Sequence, residues 1–187
     1  LLPLKFFNLE MKHLFLALLL ISLHFSWAQA FNLKECVVIG QFEKPEDRYA
    51  LEVTLCEIFT AMHIKAIPAT NFVKQGGSSQ VLATDSSLFA LKEKGFSTYC
   101  LVNVKGFDNR FKKSENPPLF SEGLDRATIY NLYKDEISNL TLEFIFYRNG
   151  KPVFNDVYKI SNIGDRDDVI KRLKKKGPKY FLKNWFS

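Results

Sequence analysis

Chemistry-bearing residues are scarce in this chain, which has only three histidines and three cysteines in 187 residues. His13 and His24 lie in an N-terminal apolar stretch, so His63 is the one histidine left for the remainder. A single imidazole excludes a two-histidine metal site, and no acid is spaced to complete H-E-x-x-H. As a general base for Cys56, His63 would have to reach seven residues back along one helix. At 1.5 Å per residue that is about 10 Å, beyond a direct hydrogen bond. The simpler reading is a helix-end histidine near the negative end of the dipole.

Cys36, Cys56 and Cys100 form no C-x-x-C, which excludes a thioredoxin motif and a zinc knuckle, and they are too few for a disulfide-held scaffold. The fold must therefore rest on its core. No G-x-G-x-x-G or G-x-x-x-x-G-K occurs, since Gly40 leads into "GQFEKPED" and Gly76-Gly77 sits in the polar loop "KQGGSSQ". No nucleotide and no other cofactor is expected. Asp165, Asp167 and Asp168 read as acids at a helix start, because one short run supplies too few converging oxygens for a cation. There is no internal repeat and no low-complexity segment.

Long apolar runs are also missing, with one exception. "MKHLFLALLLISLHFSWAQAF" has a short basic start, an apolar centre from Leu14 to Leu23 interrupted only by Ser22, and the small-x-small pattern Ala28-Gln29-Ala30. That is the anatomy of a signal peptide cleaved after Ala30, and the run is shorter than the ~20 residues a span needs. The rival reading is an uncleaved N-terminal anchor. A lipobox is absent, because the nearest cysteine, Cys36, follows Lys34-Glu35. "LLPLKFFNLE" before Met11 reads as translated upstream sequence, since an export signal lies at the N-terminus. The expected division is residues 1–10 upstream, 11–30 signal, 31–176 one domain and 177–187 a basic, aromatic tail.

From Phe31 onward 157 residues remain, enough for one core. Setting aside Lys5, Lys12 and Glu10 leaves 24 basic and 19 acidic residues. Seven of the basic residues, and no acid, follow from Lys171 to the end, so the basicity belongs to the tail.

Apolar periodicity then orders the elements. "CVVIGQF" is a buried strand; Pro45-Glu46-Asp47 opens a helix whose face is Leu51, Leu55, Ile58, Phe59 and Met62. "IKAIPA" is a second strand, a helix runs from Asp85-Ser86-Ser87 to Gly95, and "FSTYCLVNVKGF" is a third strand. A short helix is expected around Leu124 to Tyr133. "TLEFIFYRNGKPVFNDVYKI" is two alternating runs joined by Asn149-Gly150, a hairpin signature. A closing helix covers Asp165 to Lys176. The expected fold is α/β in two or three layers: a parallel βαβαβ core, the hairpin added to the sheet, and a closing basic helix.

That order resembles a group of bacterial envelope proteins: the N-terminal domain of TolB, the curli-secretion lipoprotein and the outer-membrane activators of penicillin-binding proteins. The matching parts are "VVIGQF", the helix after it, "ALKEKGFSTYCLV", "FIFYRNGKPVF" and the final basic helix, within residues 36–175. The resemblance implies a periplasmic accessory or docking domain without catalysis of its own. The missing lipid-bearing cysteine departs from the lipoprotein members and puts outer-membrane anchoring in doubt.

Three sets of residues are candidates for function. Adjacent first and third strands would open a crevice at their carboxyl ends, with Gln41, Glu43, Asn103 and Lys105 beside it. These either bind a small ligand or peptide, or cap strand ends in water. Cys36 and Cys100, read as level on neighbouring strands, are either buried thiols, a disulfide, or the basis of a thiol-dependent enzyme or redox protein. In the tail, Lys174, Lys175, Lys176, Lys179 and Lys183 alternate with Tyr180, Phe181 and Trp185. Either the aromatics fold back on the domain, or the segment touches an anionic membrane surface or an envelope protein. Nucleic acid is not expected, because no binding motif accompanies the charge. The function expected is an exported, non-catalytic binding protein of the bacterial envelope.

Overall fold

A computed structural model describes residues 31–73, 77–126 and 131–186, so the leader and its cleavage site lie outside the described residues. Strand β1 (Glu35–Gln41) is followed by helix α1 (Pro45–Ala61) and strand β2 (Lys65–Pro68). Two 3-10 turns, Ala69–Asn71 and Ser79–Ala83, lead to helix α2 (Asp85–Glu93) and strand β3 (Thr98–Gly106). Helix α3 (Phe120–Asp125), strands β4 (Asn139–Arg148) and β5 (Lys151–Ser161), and helix α4 (Arg166–Trp185) complete the domain.

The sheet order is β2-β1-β3-β4-β5, parallel among β1, β2 and β3 and antiparallel from β3 to β5. The chain moves outward from β1 to β2 and then back past β1 to β3. Right-handed crossovers in opposite directions put α1 and α2 on opposite faces, so the domain has three layers. One core holds Leu51, Leu55 and Phe59 of α1 and Val169, Leu173, Phe181 and Trp185 of α4 against Val38, Cys100 and Phe144. The other packs Ala69, Leu82, Leu91, Phe120 and Leu124 on Ile39, Leu101 and Tyr147. With both faces covered, β4 is buried along nearly its whole length, which suits its run of aromatic and β-branched residues.

Local chemistry explains the boundaries. Helix α1 starts at Pro45, whose missing N–H would have no partner in the first turn. It ends in a Schellman motif: Ile64 N–H reaches Phe59 O and His63 N–H reaches Thr60 O, with His63 at φ 63°. Helix α2 is capped by Thr84 rather than by its own serines, and it closes the same way with Gly95 at φ 82°. The hairpin turns on Asn149 and Gly150, at φ 50° and 74°, the pair of positive values a two-residue turn of this hand requires.

Three expectations need correction. Helix α3 starts earlier than expected, directly after Pro117-Pro118 and Leu119, and residues 131–133 are not helical. Its end is fixed by Gln41, whose amide donates to the carbonyls of Gly123, Leu124 and Arg126. Cys100 pairs in register with Val38, not Cys36. The Glu35 carboxylate accepts from the N–H and hydroxyl groups of Ser97 and Thr98, and so aligns the starts of β1 and β3.

The third correction is the tail. Helix α4 passes straight through Gly177-Pro178 and carries Phe181 and Trp185 into the core. A helix-interior proline costs about 3 kcal/mol. Burying two large aromatics outweighs that, at roughly 1.5–3 kcal/mol or more each. The indole N–H of Trp185 donates to Asp156 at 2.8 Å, and Tyr180 O–H donates to Asp156 and to Val157 O.

Candidate functional site

The carboxyl end of β1 is tied to the turn that follows β2 by buried charge. Glu52 of α1, fully buried, accepts from Gly40 N–H at 2.8 Å, Thr70 N–H at 2.8 Å and Arg48 Nε at 2.9 Å. Arg48 is one turn earlier on the same helix, and its side chain is 13 % exposed. On one side of Arg48 lies a groove of about 600 Å³, walled by Phe42, Tyr49, Thr70 and Val73 and rimmed by Glu43 and Glu46. On the other is a smaller polar pocket of about 260 Å³, bounded by Gln41, Ser78, Gln80, Asp125 and Arg126. Both cavities lie at the carboxyl end of β1, and neither is lined by a residue of β3.

The residues expected beside the crevice are distributed differently. Gln41 is buried and spends its amide on the end of α3. Lys105 pairs with the buried Glu143 at 3.0 Å, and that carboxylate also accepts from Ser114 N–H and Oγ. Asn103 is half-buried, with its Oδ1 unpartnered. Only Glu43 borders the groove. Arg48 and Glu52 escaped the sequence reading. Their spacing of four was the available signal, but the order Arg before Glu is the weaker one for a surface pair and says nothing of burial.

The three cysteines are free and buried, facing the same core cluster. Burial pushes the thiols of Cys36 and Cys100 well above their usual range, and that of Cys56 up to about 12. A thiol held neutral and sealed from solvent is a poor nucleophile. Among the described residues there is no group of three His, Cys, Asp or Glu side chains placed to hold a metal ion. No helix among them is long and apolar enough to cross a membrane.

The outer face of α4 is the second candidate. Lys171, Lys175 and Lys179 recur every fourth residue, all exposed, on the side opposite the buried row of Val169, Leu173, Phe181 and Trp185. Lys176 and Lys183 are exposed near them, and Leu182 is 55 % exposed. Lys174 pairs with Glu57 at 2.8 Å, whereas Lys171, Lys175, Lys176 and Lys179 make no ion pair among the described residues. Phe181 and Trp185 therefore cannot be surface contacts, and Tyr180 is half-buried with its hydroxyl engaged.

No family model matches the chain, and no curated protein matches it. Among solved structures it is similar to the lipoprotein GNA1162 from Neisseria meningitidis, with 9 % identity over 80 % of this chain and 99 % of that one and a TM-score of 0.44. A likeness of that size assigns neither family nor function.

Proposed function

We propose that this is an exported, single-domain α/β protein of the bacterial envelope that acts by binding rather than by catalysis, and that it contacts an anionic surface through α4. The observation that carries the reading is the lysine row. Like charges four residues apart on one helix face weaken an isolated helix, and a negative surface relieves that repulsion. Each Lys near anionic headgroups contributes about 1 kcal/mol, so Lys171, Lys175 and Lys179 together contribute about 3 kcal/mol, or roughly 150-fold in affinity. The export signal read in residues 11–30 supports the compartment. Burial of all three thiols tells against the thiol-dependent alternative.

The test is sedimentation with vesicles of phosphatidylglycerol and phosphatidylethanolamine, against neutral phosphatidylcholine. The wild type should bind the anionic vesicles only, more weakly as salt rises, and the triple variant Lys171→Gln, Lys175→Gln, Lys179→Gln should lose about two orders of magnitude. Equal binding by that variant, or none by the wild type, refutes the surface contact. The compartment is tested separately by intact mass of protein from its native host. A chain beginning at Phe31 is the expected result, and a retained leader would overturn export with cleavage.

A further inference from the structure

Phe31, the first residue after the expected cleavage point, is held by the domain. Its ring stacks on Phe154, with centroids 4.6 Å apart and planes 11° from parallel, and lies 4.8 Å from Phe146. Arg148 covers the same ring, its guanidinium carbon 5.5 Å from the centroid, and donates through Nη2 to the carbonyl of Asn32. Leu33 is buried in the core that contains Phe146. Phe31, Asn32 and Leu33 are therefore all engaged before β1 begins.

The clamp also depends on the far end of the chain. Trp185 lies 5.2 Å from Phe146 and 6.0 Å from Phe154, so the Phe31 ring and the end of α4 rest on the same two side chains. Arg148 and Asn32 are 116 residues apart, and Trp185 comes later still. Contacts of such separation form only once nearly all of the chain is in place.

Hydrolysis of the Ala30–Phe31 bond makes a different demand. The peptidase nucleophile attacks the Ala30 carbonyl carbon. Water then supplies the oxygen of the new carboxylate, and the Phe31 nitrogen leaves as an amine that takes up a proton. The enzyme's cleft has to hold the residues on both sides of the bond in the geometry of attack. Phe31 lying flat on Phe154 cannot enter it.

We propose, on the reading of residues 11–30 as an export signal, that completion of the fold closes this cleavage site. The leader is removed while Phe31 is free, and a domain that folds first keeps it. Release and amino-terminal anchoring, rivals in the sequence, become two outcomes of one order of events. Cleavage comes first whenever the chain is cut as it emerges. Cutting of the folded form waits for residues 31–33 to lift off, so its rate follows the population of that opened state.

The full chain with its leader is purified folded in detergent micelles and incubated with a bacterial signal peptidase. Appearance of the product 31–187 is timed by intact mass. The reference is the same chain ending at Gly177, which lacks Trp185 and leaves the clamp open. The folded chain should be cut at least about tenfold more slowly, since opening gives up two ring contacts and a cation–π contact. Phe154→Ala leaves the sequence around the bond unchanged and should speed cutting of the folded chain about fivefold, with folding checked by circular dichroism. Arg148→Gln should speed it about threefold, and it decides the matter if Phe154→Ala does not fold. Equal rates for the folded chain and the reference, or folded variants cut no faster than the wild type, overturn the closure. No cutting at Ala30–Phe31 in either chain overturns the export signal itself.

Discussion

Trp185→Ala should destabilise the domain more than any other single change in its last twenty residues. Trp185 is 2 % exposed, and its ring lies 4.0 Å from that of Phe181 and 5.2 Å from those of both Phe144 and Phe146, centroid to centroid. Truncating a buried aromatic to alanine costs about 3–5 kcal/mol in transfer and cavity energy. Losing the bond to Asp156 adds about 1 kcal/mol, because Tyr180 still satisfies that carboxylate. Against a total stability of about 5–15 kcal/mol, the variant is marginal. With a urea slope of about 2 kcal/mol per molar, its unfolding midpoint should fall by about 2–3 M. Trp185→Phe, which keeps a ring and loses the donor, should lose about a third as much. A truncation after Gly177 removes Phe181 as well and should not fold. The assay is urea unfolding by circular dichroism. In a chain starting at Phe31, Trp185 is the only tryptophan, so its native emission should also be blue-shifted and shielded from acrylamide. A truncated chain that melts where the wild type does would refute the packing of α4.

Two further outcomes follow from the same structure. His63→Gly should stabilise the domain by about 1 kcal/mol, because His63 occupies a left-handed position that glycine adopts without strain; an unchanged or lower midpoint in thermal unfolding would count against it. Stability should also fall as pH rises above about 9, where the cysteines of the unfolded chain ionise while buried Cys36 and Cys100 stay protonated. The folded state then holds the extra protons, so each thiol steepens the loss by about 1.4 kcal/mol per pH unit until its own raised value is reached. Cys100→Ala should flatten that slope, measured by urea unfolding across alkaline pH, and an equal slope would show the thiol to be accessible.

Much of the architecture was legible because its signals are local. Asn149-Gly150 sets a two-residue turn, Pro45 with its acids opens α1, and the short apolar runs with helices between them imply parallel strands. Misreadings arose where a local signal met a stronger distant contact. Gly177-Pro178 reads as a helix stop, yet the burial of Phe181 and Trp185 and the bonds to Asp156 carry α4 through it. Gln41 and Lys105 read as polar strand ends, but one closes α3 and the other neutralises Glu143.

The sequence by itself determined most of the strands and the two longest helices, the hairpin turn, and the concentration of lysine near the end. Those properties follow from periodicity, turn chemistry and composition, which neighbours along the chain define. Only the tertiary structure decided that the terminal aromatics belong to the core, that Cys36 and Cys100 are fully buried, and that Arg48 is paired with a fully buried Glu52. Burial and hydrogen-bond satisfaction depend on partners such as Gly40, Thr70 and Asp156, brought close from far along the chain. No pattern within a single element can report them.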